Sequence, residues 1–174
     1  MTRVTPLGAI ARGLLAGAVG TAAMDTYLYL QYRRGGGTDA PVAWETSAGL
    51  DDWDAAPAPA QVGRRMVEGL FQTELPAGRA RLTNNITHWA YGMLGGAQLG
   101  VAAGSLRRHQ LRAIDGLPFG ASVWGAGYVV LPAMKLYKPI WEYDKVTLAK
   151  DLSAHLLYGL ATAATLRHLS PRTP

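Results

Sequence analysis

The sequence lacks several features that would assign a function directly. Its 174 residues include no cysteine, which excludes disulfide bonds and thiolate metal sites. A nucleophile elbow, a phosphate-binding P-loop and a metalloprotease motif are also absent, so none of these enzyme classes is indicated. At this length the chain has room for one domain, residues 1–174. The informative feature is therefore the distribution of apolar and polar residues.

Charged residues are few, and the basic ones are clustered. Charged residues of both signs make up 17% of the chain, and the excess of basic over acidic residues gives a net charge of +5. Basic pairs such as Arg33-Arg34 and Arg107-Arg108 lie at the ends of apolar stretches, where membrane helices use positive charge for anchoring and orientation. This placement does not fit a nucleic-acid-binding face. We therefore predict no nucleic-acid partner and expect a lipid bilayer to surround the chain.

Four apolar segments lie at about residues 13–32, 82–106, 117–137 and 148–166. Each is close to the roughly 20 residues that cross a bilayer core, and the fourth is the shortest. The first and third segments lack the polar face that a helix of a soluble bundle shows. Twenty-one glycines suit closely packed membrane helices. The sequence predicts an all-α membrane protein, a bundle of four transmembrane helices.

The arginines favour one orientation of this bundle. Four spans place both termini and the connection at 107–115 on the same side, which carries seven arginines and one acid. Because basic residues in short loops face the cytoplasm, both termini are expected there.

Two short patterns occur twice in the same order. Gly13-Leu14-Leu15-Ala16-Gly17-Ala18 resembles Gly116-Leu117-Pro118-Phe119-Gly120-Ala121. His88-Trp89-Ala90-Tyr91-Gly92 resembles His155-Leu156-Leu157-Tyr158-Gly159. The repeats indicate an internal duplication into two tandem helix pairs with parallel orientation.

A long connection at residues 35–81 distinguishes the first half from the second. It contains a predicted amphipathic helix at about 60–72, which would lie in the membrane interface or pack on the bundle. Aspartates and tryptophans in residues 38–58 form a candidate binding surface for a protein partner, although acids in a loop are usually only solvated.

Polar residues inside the apolar segments are the candidate functional site. Asp25, His88, Tyr128 and His155 are each predicted to lie about 10 Å below the same membrane face. Tyr91 and Tyr158 follow the two histidines one turn deeper. This layer would bond the helices together, pass protons or a solute, or bind a metal ion through Asp25, His88 and His155. No cofactor is predicted.

Glycines on the predicted helices form smooth strips. We expect these strips to support close helix packing within the monomer, with contacts between copies as the alternative that would give a homo-oligomer. The residues concerned are Gly13, Gly17, Gly92, Gly96, Gly120 and Gly159.

The segment from Gly13 to Thr21 and the two His-x-x-Tyr-Gly elements resemble the YagU-like group of uncharacterised bacterial inner-membrane proteins. The resemblance covers the four apolar segments and implies a multi-pass inner-membrane location, with no catalytic residues to transfer. The sequence favours a membrane scaffold or accessory protein. One alternative is a proton-linked small transporter or channel that uses the polar layer, and another is a metal-binding protein or enzyme.

Overall fold

The protein is described by a computed structural model that covers residues 5–105 and 111–170. These residues form helices and contain no β-strand. The six α-helices are α1 (Pro6–Arg34), α2 (Pro41–Glu45), α3 (Ala58–Phe71), α4 (Ala80–Ser105), α5 (Gly116–Ala133) and α6 (Lys145–Leu169).

Local sequence explains where the long helices begin. The Thr5 hydroxyl accepts a hydrogen bond from the Gly8 amide at 3.1 Å, and Pro6 occupies the first turn of α1. Asp144 caps α6 by accepting bonds from the Val146 and Thr147 amides. Hydrogen bonds from the Thr147 hydroxyl and backbone lower the pKa of Asp144. This cap therefore stabilises α6 at neutral pH and is lost as the pH falls through the lowered pKa.

The helices occupy the predicted apolar segments, with different ends. The N-terminal ends of α1 and α6 extend beyond the predicted spans, and α3 matches the predicted amphipathic helix to within two residues. By contrast, α5 ends at Ala133 instead of residue 137, because the backbone reverses at Lys135 with φ 56°. Residue 106, the predicted end of the second segment, and the adjoining pair Arg107-Arg108 lie outside the described residues.

The four long helices pack in the order α4, α1, α6, α5. Helix α1 contacts both α4 and α6, and α6 contacts α5, whereas α3 packs on α4. The layer is curved, because α6 also has a small contact with α4. Helices α4 and α5 therefore form the two ends of the layer.

Glycines create the contact between α1 and α4. A Cβ atom added at Gly13 would lie 2.5 Å from the Gly96 carbonyl oxygen and 2.6 Å from Ala97 Cα. Gly17 lies in the same way against Gly92, so the two backbones touch without intervening side chains.

The same principle joins α5 to α6 and α1 to α6. A Cβ atom at Gly116 would be 2.9 Å from Ala163 Cβ, and one at Gly120 would be 3.2 Å from Leu156 Cα. Between α1 and α6, Gly20 faces Tyr158 and the hydroxyl of Thr162. Since these glycines are used within the monomer, a homo-oligomer would need a different surface.

Small residues fill the interior, and large apolar residues cover the long helices. The buried set is mainly alanine, glycine and threonine, including Ala16, Ala154, Ala163 and Thr162, each 0% exposed. Large side chains on the outer faces include Leu7, Leu15, Val19, Leu94 and Val129. Within the described ranges, α1 is the one helix whose length and composition would let it cross a membrane.

The connection between α1 and α4 is folded. Trp53 is buried with Leu50, Ala60 and Ala80, and the Arg64 guanidinium lies 5.0 Å from the centre of its ring. Trp44 instead packs on two tyrosines at the end of α1. Asp51, Asp52 and Asp54 of the predicted partner surface are exposed beside this small core.

Helix α3 packs on the bundle, as one of the two alternatives predicted. Gly63 lies against the side chains of Thr83 and Thr87 on α4. The apolar residues nearer the C-terminal end of α3, Met66, Leu70 and Phe71, are all more than half exposed. The helix therefore covers part of α4 and also presents an apolar edge.

Candidate functional site: two aspartate–histidine pairs

The first pair joins α1 to α4. The Nε2 atom of His88 lies 3.0 Å from Oδ1 and 2.9 Å from Oδ2 of Asp25. Asp25 is only 5% exposed, whereas the His88 side chain is 29% exposed. A buried carboxylate needs such a partner, because isolated charges are costly to bury. The carboxylate also fixes the orientation of the imidazole ring.

The second pair lies within α6. His155 Nδ1 is 2.9 Å from the carbonyl oxygen of Asp151 and 3.3 Å from its Oδ1 atom. The spacing of four residues places both side chains on the same helical face. Both contacts use Nδ1, so Nε2 is the nitrogen that can bind a water molecule or exchange a proton. Asp151 was not among the predicted site residues.

The two histidines line a common cavity. Its volume is about 30 Å³, enough for one water molecule. All four long helices contribute to its lining, which consists of Thr21, Met24, His88, Tyr91, Gly92, Val123, His155 and Tyr158. The structure thus brings together four of the six residues predicted for the polar layer.

The tyrosines of the predicted layer have different environments. The Tyr158 hydroxyl donates a 2.7 Å hydrogen bond to the Gly92 carbonyl oxygen and so connects α6 to α4. Tyr91 also lines the cavity but is 58% exposed. Tyr128 is not part of the cavity lining. It lies beside Asp151, within an aromatic cluster that includes Trp124 and Tyr143.

Glu45 is a third acidic residue near the first pair. Its Oε1 atom accepts a 3.1 Å hydrogen bond from Trp89 Nε1, next to His88 in the sequence. Burial raises the pKa of Glu45, and the negative charge of Asp25 raises it further. The charge of His88 and the bond from Trp89 act in the opposite direction. Glu45 therefore brings an acidic group of the folded connection close to the buried Asp25 carboxylate.

Several contacts hold the segment that carries Glu45. Arg81 Nε and Asn85 Nδ2 donate to the Thr46 carbonyl oxygen at 2.9 and 3.0 Å. The Trp44 ring packs on Tyr29 with its centre 5.5 Å away. The segment is thus fixed to both α1 and α4. No sequence motif pointed to Glu45, because its position depends on how residues 35–81 fold.

The candidate metal ligands do not form a cluster. Within residues 5–105 and 111–170, no three histidine, cysteine, aspartate or glutamate side chains are placed to hold a metal ion. His155 pairs with Asp151 and thus does not join Asp25 and His88 around one point. The arrangement is suited to donating, accepting and relaying protons.

Comparisons with known proteins do not assign this site to a family. No family model, curated protein or solved structure matches the chain. The chemistry of the two aspartate–histidine pairs therefore carries the functional argument.

Proposed function

We propose that the protein is a multi-pass membrane protein with four spans, in which α4, α5 and α6 cross the bilayer beside α1, the one described helix whose own length and composition suit a span. The small residues in the interior and the large apolar side chains on the outside support this proposal, since lipid removes the penalty for outward-facing leucine and valine. The shortest of these helices, α5, has 18 residues and is about 27 Å long, near the thickness of a bilayer core.

The two halves of this bundle correspond as tandem repeats. Gly13 contacts Gly96 and Ala97 on α4, and Gly116 contacts Gly159 and Ala163 on α6. The paired motifs align Gly13 with Gly116 and Gly96 with Ala163, so equivalent positions make equivalent contacts. This agreement supports a duplication with parallel orientation of the two helix pairs.

The activity that the site supports best is proton-linked transport or proton conduction. The observation that carries the proposal is that two histidines, each paired with an aspartate, line one water-sized cavity. Histidine changes charge near neutral pH, and one water can pass a proton between two imidazoles. Ionisable groups are costly in a membrane and are retained there mainly for function.

Proton uptake by proteoliposomes tests this activity. A dye trapped inside vesicles would report acidification after an external pH step. We expect Asp25→Asn and His155→Gln to lower the protein-dependent rate at least tenfold. His168→Gln is the matched control, because His168 lies on the same helix and is exposed. Equal rates in wild type, His155→Gln and His168→Gln would reject the proposal.

A second candidate is the membrane scaffold or accessory protein. The folded connection favours it, because Trp53 has its own small core and the neighbouring aspartates are exposed. A partner would contact Asp51, Asp52 and Asp54, since the indoles are already packed. Crosslinking in native membranes should then recover a protein that is lost when all three become asparagine. Recovery of the same proteins by both forms would oppose this function.

The cellular location is part of the proposal. The YagU-like resemblance and the arginine distribution support a bacterial inner membrane with both termini in the cytoplasm. In this orientation the folded connection and the segment between α5 and α6 face the other side.

A further inference from the structure

A groove of about 410 Å³ lies between α4 and α5, the two helices at the ends of the layer. Four residues from each helix line it: Tyr91, Gln98, Leu99 and Ala102 from α4, and Phe119, Ser122, Val123 and Ala126 from α5. Its volume is in the range of small-molecule sites.

The sequence difference between α1 and α5 explains this groove. The aligned motifs place Phe119 where α1 has Ala16, and Val123 where α1 has Gly20. At Gly20 an added Cβ atom would lie 2.9 Å from Tyr158 Cδ2, so only a glycine lets α6 approach α1 so closely. The larger Phe119 and Val123 side chains prevent the equivalent approach of α4 to α5.

The residues that line the groove indicate which part of a ligand would occupy it. None of its eight residues is charged, and Tyr91, Gln98 and Ser122 are the ones with a polar side-chain group. The Ser122 hydroxyl already donates to the Phe119 carbonyl oxygen at 2.7 Å. An uncharged alkyl chain complements this surface.

The groove adjoins the histidine cavity, because Tyr91 and Val123 line both spaces. The end of a molecule in the groove would therefore be next to the space that His88 and His155 line. That space admits a group the size of one water molecule. Because each imidazole already faces an aspartate, a neutral hydroxyl group complements the cavity better than a second carboxylate.

We propose that the α4–α5 groove binds a single-chain amphiphile with a neutral hydroxyl head, such as a long-chain alcohol. The alkyl chain occupies the groove, and the hydroxyl group reaches the two histidines. This assignment rests on the proposed function, because it identifies the class of molecule whose movement the proton-exchanging pairs would drive.

Photo-crosslinking of the full-length protein in nanodiscs tests the site. The probe is a sixteen-carbon alcohol with a diazirine in its chain (about the length of a membrane acyl chain), and mass spectrometry locates the labelled residues. We expect labelling to concentrate on residues 91–102 and 119–126 and to fall at least tenfold in Ala126→Trp, whose indole fills the groove. Val129→Trp is the matched control, because Val129 is 71% exposed on the same helix and does not line the groove.

Competition with unlabelled compounds separates the contribution of the hydroxyl head to binding from that of the alkyl chain. Unlabelled hexadecanol should displace the probe better than hexadecane does, and His155→Gln should remove this difference while the groove is still labelled. Equal labelling of Ala126→Trp and Val129→Trp, or even labelling over all apolar faces, would overturn the proposal. Retained groove labelling without proton uptake would reject the transport function alone.

Discussion

Gly96→Ala is expected to destabilise the protein by about 3 kcal/mol, or roughly 6–12 °C in melting temperature. The new methyl carbon would lie 2.5 Å from both the N and Cα atoms of Gly17. These are backbone atoms in the middle of α1, and they cannot move without separating α1 from α4. Thermal unfolding of the purified protein in mild detergent, followed by tryptophan fluorescence, gives the measurement.

Gly104→Ala is the matched control for this substitution. Gly104 lies in the same helix, but the nearest atom to its added Cβ is Ala9 Cβ at 3.7 Å, an ordinary contact distance. Alanine favours helix formation over glycine, so we expect no loss of stability and a gain of up to about 1 kcal/mol. Indistinguishable melting temperatures for the two variants would show that Gly96 is not at a close helix contact.

Asp25→Ala is expected to cost about 3–5 kcal/mol, because it leaves His88 without the carboxylate that neutralises its charged form. Asp25→Asn should cost less, since the amide can still bond to the ring. Proteins with both Asp25 and His88 replaced by leucine should recover most of the loss, because the uncompensated polar group is then removed.

The same unfolding assay measures these variants, and the double-mutant cycle isolates the pair energy. Additive effects of the two leucine substitutions would contradict a direct interaction between Asp25 and His88. Stability alone does not establish transport, so the double leucine variant should be folded and inactive in proton uptake. This combination distinguishes a structural role of the pair from its proposed chemical role.

The sequence predicted the long helices because each contains a long apolar segment. The starts of α1 and α6 were missed, because Thr5 with Pro6 and Asp144 begin these helices before the apolar segments do. The premature end of α5 was missed because Pro132 is accommodated inside its last turn and the reversal occurs at Lys135, a residue with no turn preference. Helix type was therefore more predictable than helix ends.

The candidate site was predictable only where its residues belong to the long helices. Asp25 and His88 were recognised as polar groups at a common depth, and the structure pairs them. Asp151 was overlooked because it lies near the start of its segment, although its spacing from His155 matches a helical pair. Glu45 could not be predicted as a site residue, because it reaches Trp89 only through the way residues 35–81 fold. That connection contains no repeated motif that would have indicated the contact.

The proposed duplication relates the α4–α5 groove to the contact between α1 and α6. The alignment of Gly20 with Val123 was present in the sequence, but its consequence depends on which helix each residue faces. Small residues permit helix contact, and larger ones at the equivalent positions prevent it. The sequence difference between the two proposed halves therefore accounts for a closed α1–α6 contact and an open α4–α5 groove.

Side-specific cysteine labelling tests the central claim of a four-span membrane protein most directly. The natural chain has no cysteine, so single cysteines introduced at Thr73, Arg112 and Lys138 report only their own positions. We expect a membrane-impermeant maleimide to label Thr73→Cys and Lys138→Cys in intact cells, whereas Arg112→Cys reacts only after permeabilisation. Identical accessibility of all three would mean that α4 and α5, the helices between these positions, do not cross the membrane, and it would contradict the proposed architecture.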